Sequence, residues 1–193
     1  MRVLHLPTSV GGNSWGLAQG EKALGLDSMV LIDMNNIWIN YKPDIILYNQ
    51  DAHKIYKLFK RIYAFLNYRN KYDIFHFNFG TSLLDFPKYG FYLFDLPFYK
   101  GKKVMTYNGC DARQKYPTMN RVSFSACHFK ECYGGMCNSG KMDQIRRKKI
   151  EKVSKYVDHI FALNPDLMHF LPKAKTTFLP YAIAGWDIIK KEK

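Results

Sequence analysis

Glycine and polar residues that could bind a phosphate follow three apolar runs of this chain, at the points where those runs end. They are Gly11, Gly12 and Asn13 after the first run, His76, Asn78 and Gly80 after the fourth, and Asn108, Gly109 and Asp111 after the fifth. Glycine has no Cβ atom, so its backbone N–H groups can approach an anion closely. Asn and Asp more often serve as turn or cap residues, but three such ends together favour one binding cleft.

The elements that would position these residues are short β-prone runs that alternate with helical stretches. The runs are 2–6, 27–33, 44–49, 73–79, 102–109, 159–164 and 176–182, and the main helical stretches are 14–24, 53–68 and 141–157. Most runs are continuously apolar, as in strands that are covered on both faces. This alternation predicts an α/β fold, a Rossmann-like parallel β-sheet flanked by helices. Ligands bind beyond the carboxyl ends of such strands, so we expect the polar ends to converge.

Charge indicates which partners the chain attracts. The formal net charge of +13 favours anionic partners. In the stretch 53–68 five apolar residues share one helical face and four basic residues lie opposite: Ile55, Leu58, Phe59, Ile62, Leu66, and Lys54, Lys57, Lys60, Arg61. We expect the apolar face to cover the sheet and the basic face to meet solvent or an anionic membrane surface. A second basic run at 146–152 has no interleaved aromatic residues, so nucleic acid is not an expected partner.

The segment 110–140 is rich in cysteine and glycine and shows little periodicity, which is typical of an insertion or a functional loop. Its four cysteines are Cys110, Cys127, Cys132 and Cys137. The C-x4-C-x4-C spacing is loose for a structural zinc site and no C-x-x-C pair is present. We expect ordinary reduced thiols, with no metal and no cofactor, and keep a four-thiolate zinc site as the alternative.

Two other classes of function compete for these motifs. The turn GGNSWG lacks the G-x-G spacing of a dinucleotide fingerprint, but Asp33 stands where the ribose-binding acid would be. An NAD(P)-binding oxidoreductase domain is therefore one alternative. A noncatalytic basic module that binds membranes or nucleic acid is the other. GMCNSGKM at 135–142 satisfies the glycines and lysine of a P-loop, but Met142 replaces the Ser or Thr that binds Mg²⁺.

Several stretches together resemble the N-terminal half of GT-B glycosyltransferases, most closely the retaining enzymes of the family 4 type. They are MRVLHLPTSVGGNSWGLAQGEKALG, YDIFHFNFG, VMTYNGCDAR, and YVDHIFALNPDLMHFLP followed by FLPYAI. The resemblance implies transfer of a sugar from a nucleotide-sugar donor to a lipid-linked or polysaccharide acceptor. It implies that Gly11 and Gly12 lie near the donor phosphates, His76 near the reacting sugar, and Asp111 in the cleft. The half of the enzyme that the chain resembles chiefly binds the acceptor.

In such enzymes a second Rossmann-like domain holds most of the donor. We predict one acceptor-side domain at 1–183, with an insertion at about 110–140, and the start of a linker at 184–193. The donor-binding domain is then missing or separate, and we expect the chain alone to turn over no sugar nucleotide at an appreciable rate. The sequence contains no apolar run of membrane-spanning length and no signal peptide. The predicted location is cytoplasmic, peripheral at the inner face of the membrane.

Overall fold

The structure is a computed structural model that describes residues 1–34 and 42–181. The described residues form seven strands: β1 (Arg2–Leu6), β2 (Asp27–Met34), β3 (Ile45–Tyr48), β4 (Ile74–Asn78), β5 (Lys102–Tyr107), β6 (His159–Ala162) and β7 (Thr176–Phe178). The α-helices among them are α1 (Asn13–Ala23), α2 (Lys54–Tyr68), α3 (Lys115–Arg121) and α4 (Lys141–Tyr156). The predicted linker at 184–193 lies outside the described residues.

All seven strands belong to one parallel sheet, in the order β3-β2-β1-β4-β5-β6-β7. The predicted α/β class with a Rossmann-like sheet is confirmed. The strand order changes direction between β1 and β4, because the chain runs outward from β1 to β3 and then returns to place β4 beside β1. Leu6 of β1 pairs with Phe77 of β4. In open α/β sheets this change of direction opens a crevice at the carboxyl ends of the strands. The glycine turn after β1 and the polar end of β4 therefore lie side by side.

The two faces of the sheet differ in chemistry because side chains alternate along each strand. One face carries Leu4, Leu6, Phe75, Phe77 and Met105, and these residues belong to the main core together with residues of α2 and α4. The opposite face carries His5, His76 and Thr106 in the centre of the sheet. Ala18 of α1 packs there against Val30 and Ile32 of β2. Polar groups are thus buried inside the sheet directly below its carboxyl edge.

The predicted orientation of α2 is wrong. Its buried residues are Ala64 and Phe65, whereas most of the apolar face faces outward: Ile55 is 58%, Leu58 41%, Phe59 67% and Leu66 57% exposed. Long-range contacts decide this orientation. Arg61 is half-buried, pairs with Asp33 and donates to the Tyr48 hydroxyl over 2.8 Å. The helix therefore turns one of its basic residues toward the sheet and presents an apolar stripe to the surroundings. None of the described helices is long and apolar enough to cross a membrane.

Candidate functional site

The turn after β1 places two left-handed glycines directly before a helix. Gly11 and Gly12 both adopt left-handed backbone conformations, with φ of 65° and 73°, and α1 begins at the next residue, Asn13. Gly12 has no side chain to cap the helix, although Ser9 Oγ accepts a hydrogen bond from the Trp15 N–H over 3.1 Å. The positive end of the α1 dipole thus faces the crevice between β1 and β4. Asn13 itself is buried.

Asparagines at the ends of β4, β5 and β6 join this turn into one hydrogen-bonded cluster. Asn108 Nδ2 donates to Val10 O over 3.1 Å, and Asn78 Nδ2 donates to Asn108 Oδ1 over 3.4 Å. Asn164 Nδ2 donates to Asn108 O over 2.5 Å. The Tyr181 hydroxyl donates to the same carbonyl over 3.2 Å. Two of the predicted strand ends therefore meet at the glycine turn.

Asn164 and Tyr181 are members of this cluster that the sequence did not predict. Asn164 precedes the 3₁₀ turn Pro165–His169, but its side chain makes no capping bond to that turn. The signal for its role was its position directly after an apolar run, the same position that Asn78 and Asn108 hold. Tyr181 lies close to Gly11, since a Cβ atom added at Gly11 would be 3.3 Å from Tyr181 Cε1.

Asp111 holds the loop after β5. Its carboxylate accepts hydrogen bonds from the N–H groups of Asn108, over 3.0 and 3.1 Å, and of Gly109, over 2.6 Å. Desolvation raises the pKa of this carboxyl above its ordinary value, although the backbone N–H groups act in the opposite direction. Asp111 thus fixes the backbone next to the asparagine cluster, and it also lines the neighbouring cleft.

His76 lies inside β4, two residues before Asn78. It is 5% exposed, its Nε2 is 2.5 Å from Thr106 Oγ1, and its ring centroid is 4.8 Å from that of His5. Burial, and to a smaller extent the neighbouring His5, lower the pKa of His76 well below its ordinary value, so the ring is neutral at pH 7. The structure buries His76 in the sheet, and its proximity to a reacting sugar stays a prediction.

A cleft of about 570 Å³ opens beside Asp111, between the end of β4 and helix α4. Its basic lining residues are Lys88, Lys141, Arg146 and Lys149. Phe79 also lines it and has a left-handed backbone, with φ of 58°. Such a conformation costs a non-glycine residue about 1–3 kcal/mol and is common at functional sites. The cleft therefore combines basic and apolar lining residues next to a strained turn.

An apolar groove of about 580 Å³ lies on the other side of the 3₁₀ turn Pro87–Tyr89. Its lining residues are Tyr48, Lys54, Ile55, Lys57, Leu58, Arg61, Phe86, Tyr89 and Phe91. Pro87 and Lys88 line the cleft, whereas Tyr89 lines the groove, so one turn separates the two. From Phe91 a row of aromatic rings continues through Phe94 and Phe98 to Phe65 of α2. The groove and the outward stripe of α2 thus form one exposed apolar surface.

The acid expected for a dinucleotide-binding site is already engaged. Asp33 Oδ2 forms an ion pair with Arg61 and accepts a hydrogen bond from the Tyr48 hydroxyl over 3.2 Å. A ribose hydroxyl would have to share the carboxylate with these partners, both of which bind the same oxygen. This arrangement disfavours Asp33 as a ribose ligand.

The four cysteines, which are spread over residues 110–137, meet in one place. All four line one enclosed cavity together with Arg113, Lys115, Tyr133 and Arg146. The pKa of the Cys127 thiol is raised, mainly by burial and further by the nearby Cys110 and Cys132. Across 1–34 and 42–181, no three His, Cys, Asp or Glu side chains are already arranged to hold a metal ion.

No protein-family model matches this chain, and no curated protein matches it significantly. The geometry of the site is therefore the basis for inferring what the protein does.

Proposed function

We propose that this chain is the acceptor-side domain of a glycosyltransferase that uses a nucleotide-sugar donor. The observation that carries the proposal is the left-handed Gly11–Gly12 turn, which opens α1 beside Asn78 and Asn108 at the β1–β4 crevice. Backbone N–H groups at a helix N-terminus suit the diphosphate of a leaving nucleotide. Amide side chains at the same edge suit the hydroxyls of a sugar.

The nucleotide-sugar hypothesis is favoured over the dinucleotide alternative. A nicotinamide cofactor needs a free acid at the end of β2 for its ribose, and Asp33 is held by Arg61 and Tyr48. The turn GGNSWG also lacks the G-x-G spacing with which the dinucleotide fingerprint begins. A sugar nucleotide held only by its phosphates at this edge requires neither feature.

The acceptor is proposed to be anionic and lipid-linked. Lys88, Lys141 and Lys149 line the cleft, and of these Lys149 pairs with Asp85 over 2.6 Å. The apolar groove begins on the other side of the Pro87–Tyr89 turn. An acceptor whose phosphate lies in the cleft could therefore leave its lipid in the groove. This arrangement also supports the anionic membrane as a partner.

Helix α2 supports the membrane contact through exposed apolar side chains and through basic side chains. Phe59 and Leu66 are more than half exposed, and Lys54 lies at one end of the same helix. An interfacial helix gains about 25 cal/mol for each Å² of apolar area buried, and about 1 kcal/mol for each basic residue near an anionic surface. The two contributions add where a lysine lies beside the stripe, as Lys54 and Lys57 do with Ile55 and Leu58 in the lining of the groove.

Nucleotide binding tests the core of the proposal. Uridine and guanosine diphosphates and their sugar conjugates are titrated calorimetrically against the purified chain, with NAD as the comparison ligand. We expect saturable binding of a diphosphate, weakened in Gly11→Ala and retained in Gly20→Ala. Binding of NAD in preference to every sugar nucleotide would favour the oxidoreductase, and no diphosphate binding at all would refute the proposal.

Liposome co-sedimentation tests the membrane contact with a charge-matched pair of variants. Phe59→Glu places a carboxylate in the apolar stripe, and Leu24→Glu places the same charge at another exposed apolar position, which is 82% exposed at the end of α1. We expect binding to anionic vesicles that weakens with salt and is lost in Phe59→Glu alone. Equal losses in both variants, or equal binding to neutral vesicles, would contradict a specific contact through α2.

A further inference from the structure

The stretch from residue 122 to residue 140 has almost no hydrophobic core of its own. Its buried residues are Cys127 and Cys137, whereas its large apolar side chains face outward: Phe124 is 79%, Phe129 54% and Met136 56% exposed. A segment this long with no apolar core needs another source of stability, such as a disulfide or a metal ion. The two buried residues are both cysteines, so the segment packs around thiol side chains.

The four thiols converge on one small space. Cys110 follows β5, Cys127 and Cys132 lie in two successive 3₁₀ turns, and Cys137 precedes α4. The enclosed cavity that they share has a volume of about 10 Å³. Such a space holds about one water-sized sphere, so it would hold a single small ion and no organic ligand. All of the chain's cysteines line this cavity.

The guanidiniums of two arginines lie beside the thiols. Arg146 is only 4% exposed, and its Nη1 is 3.4 Å from Cys137 Sγ and 3.5 Å from Asp143 Oδ1. Arg113 Nη1 is 3.8 Å from Cys110 Sγ. Arg113 also forms a bidentate ion pair with Asp166, over 2.7 and 3.1 Å, so both guanidiniums have a carboxylate partner. Each of them still places an N–H group toward one of the sulfurs.

We propose that Cys110, Cys127, Cys132 and Cys137 bind one structural zinc ion. On binding, the four thiols release four protons, and Zn²⁺ with four thiolates carries a net charge of −2. The guanidiniums of Arg113 and Arg146 donate N–H groups to two of the sulfurs, the usual way in which outer groups support a metal site. Because no three such ligands are pre-arranged for a metal among the described residues, the sulfurs would have to move toward the ion from their positions around the cavity.

From the spacing of the cysteines we expected ordinary reduced thiols without a metal. The zinc proposal differs because the spacing could not show that all four thiols line one cavity. It also gives the site a role in the protein. Cys110 and Arg146 line both the thiol cavity and the basic cleft beside Asp111. The zinc ion would thus hold one wall of the cleft in place while taking no part in chemistry.

Metal analysis of the full chain tests the proposal. The protein is produced with zinc present and purified under reducing conditions, and its metals are measured by atomic emission. We expect about one zinc per chain, lost in Cys132→Ser and in Cys137→Ser and kept in His128→Gln, which changes the histidine of the same segment. Cobalt exchanged into the site should show intense thiolate-to-cobalt charge-transfer bands in the native chain only.

A second pair of variants tests the supporting arginine. Arg146→Gln should weaken zinc affinity about 10–100-fold in a chelator competition, because the N–H donor to Cys137 is lost. Arg147→Gln, on the exposed side of the same helix, should leave affinity unchanged. Four freely titrating thiols with no bound metal would overturn the proposal. So would two disulfides found by mass spectrometry, or iron accompanied by acid-labile sulfide.

Discussion

The change Gly11→Ala tests the glycine turn most directly, because Gly20→Ala provides a control in the helix that follows. Gly11 has a φ of +65°, which costs an alanine about 1–2 kcal/mol. Alanine also restricts the unfolded chain, which returns about 0.4–1 kcal/mol. The new Cβ would lie 3.3 Å from Tyr181 Cε1, so that ring must shift as well. We therefore expect a net loss of about 1 kcal/mol in the free energy of unfolding.

Gly20→Ala should have the opposite sign. Gly20 lies inside α1, and an added Cβ would meet nothing within 4 Å. Alanine in a helix interior is about 0.5–1 kcal/mol more favourable than glycine. The two variants should then differ by about 1.5–2 kcal/mol, which corresponds to roughly 3–8 °C in melting temperature for a chain of this size.

Urea unfolding followed by circular dichroism measures both variants, and diphosphate titration measures the site. If the turn cradles a phosphate, Gly11→Ala should also lower diphosphate affinity, by roughly 5–30-fold for about 1–2 kcal/mol. Gly20→Ala should bind as the native chain does. Equal stability of the two variants would refute the left-handed turn, and normal binding by a destabilised Gly11→Ala would refute its contact with phosphate.

Three further predictions concern the sheet and its carboxyl edge. Asn108→Ala leaves two buried partners unbonded and should cost about 1–3 kcal/mol in chemical unfolding, whereas the exposed Asn120→Ala should stay within about 0.5 kcal/mol. Gly101→Ala should reduce the yield of folded protein, because its Cβ would lie 2.5 Å from Tyr72 O. The depressed pKa of His76 means that the unfolded state binds the proton first. Unfolding free energy should thus fall below about pH 6.5, by up to about 1.4 kcal/mol per pH unit, and His76→Gln should flatten this dependence.

The sequence predicted the elements well because their signals are local. Apolar runs interrupted by glycine and proline mark strands, and the start of α1 follows from the glycines that precede it. The predicted stretch 14–24 and the observed helix Asn13–Ala23 differ by one residue at each end. The order of the strands in the sheet is harder to predict, because it depends on which runs pair across the whole chain. Even so, the alternation of strands and helices leaves few arrangements with right-handed crossovers.

What the sequence missed came from contacts between distant residues. The amphipathic pattern of α2 defined two faces, but which face meets the sheet depends on Arg61 reaching Asp33, 28 positions earlier. The bond from Asn164 to Asn108 spans 56 positions. The cysteines likewise meet only after β5, α3 and α4 have brought their loops together. Periodicity along one helix or strand contains no information about such partners.

Electrostatics connects the thiol cavity with the cleft that shares its wall. Arg146 lines both spaces, but its guanidinium pairs with the buried carboxylate of Asp143, so it adds little net charge to the cleft. A zinc ion with four thiolates would add a charge of −2 beside the cleft, and Arg113 is already paired with Asp166. Because Lys149 is already paired with Asp85, the cationic groups left to bind an anionic acceptor would be Lys88 and Lys141, which lie on the cleft lining. Loss of zinc should then change the charge that the acceptor meets as well as the shape of the cleft.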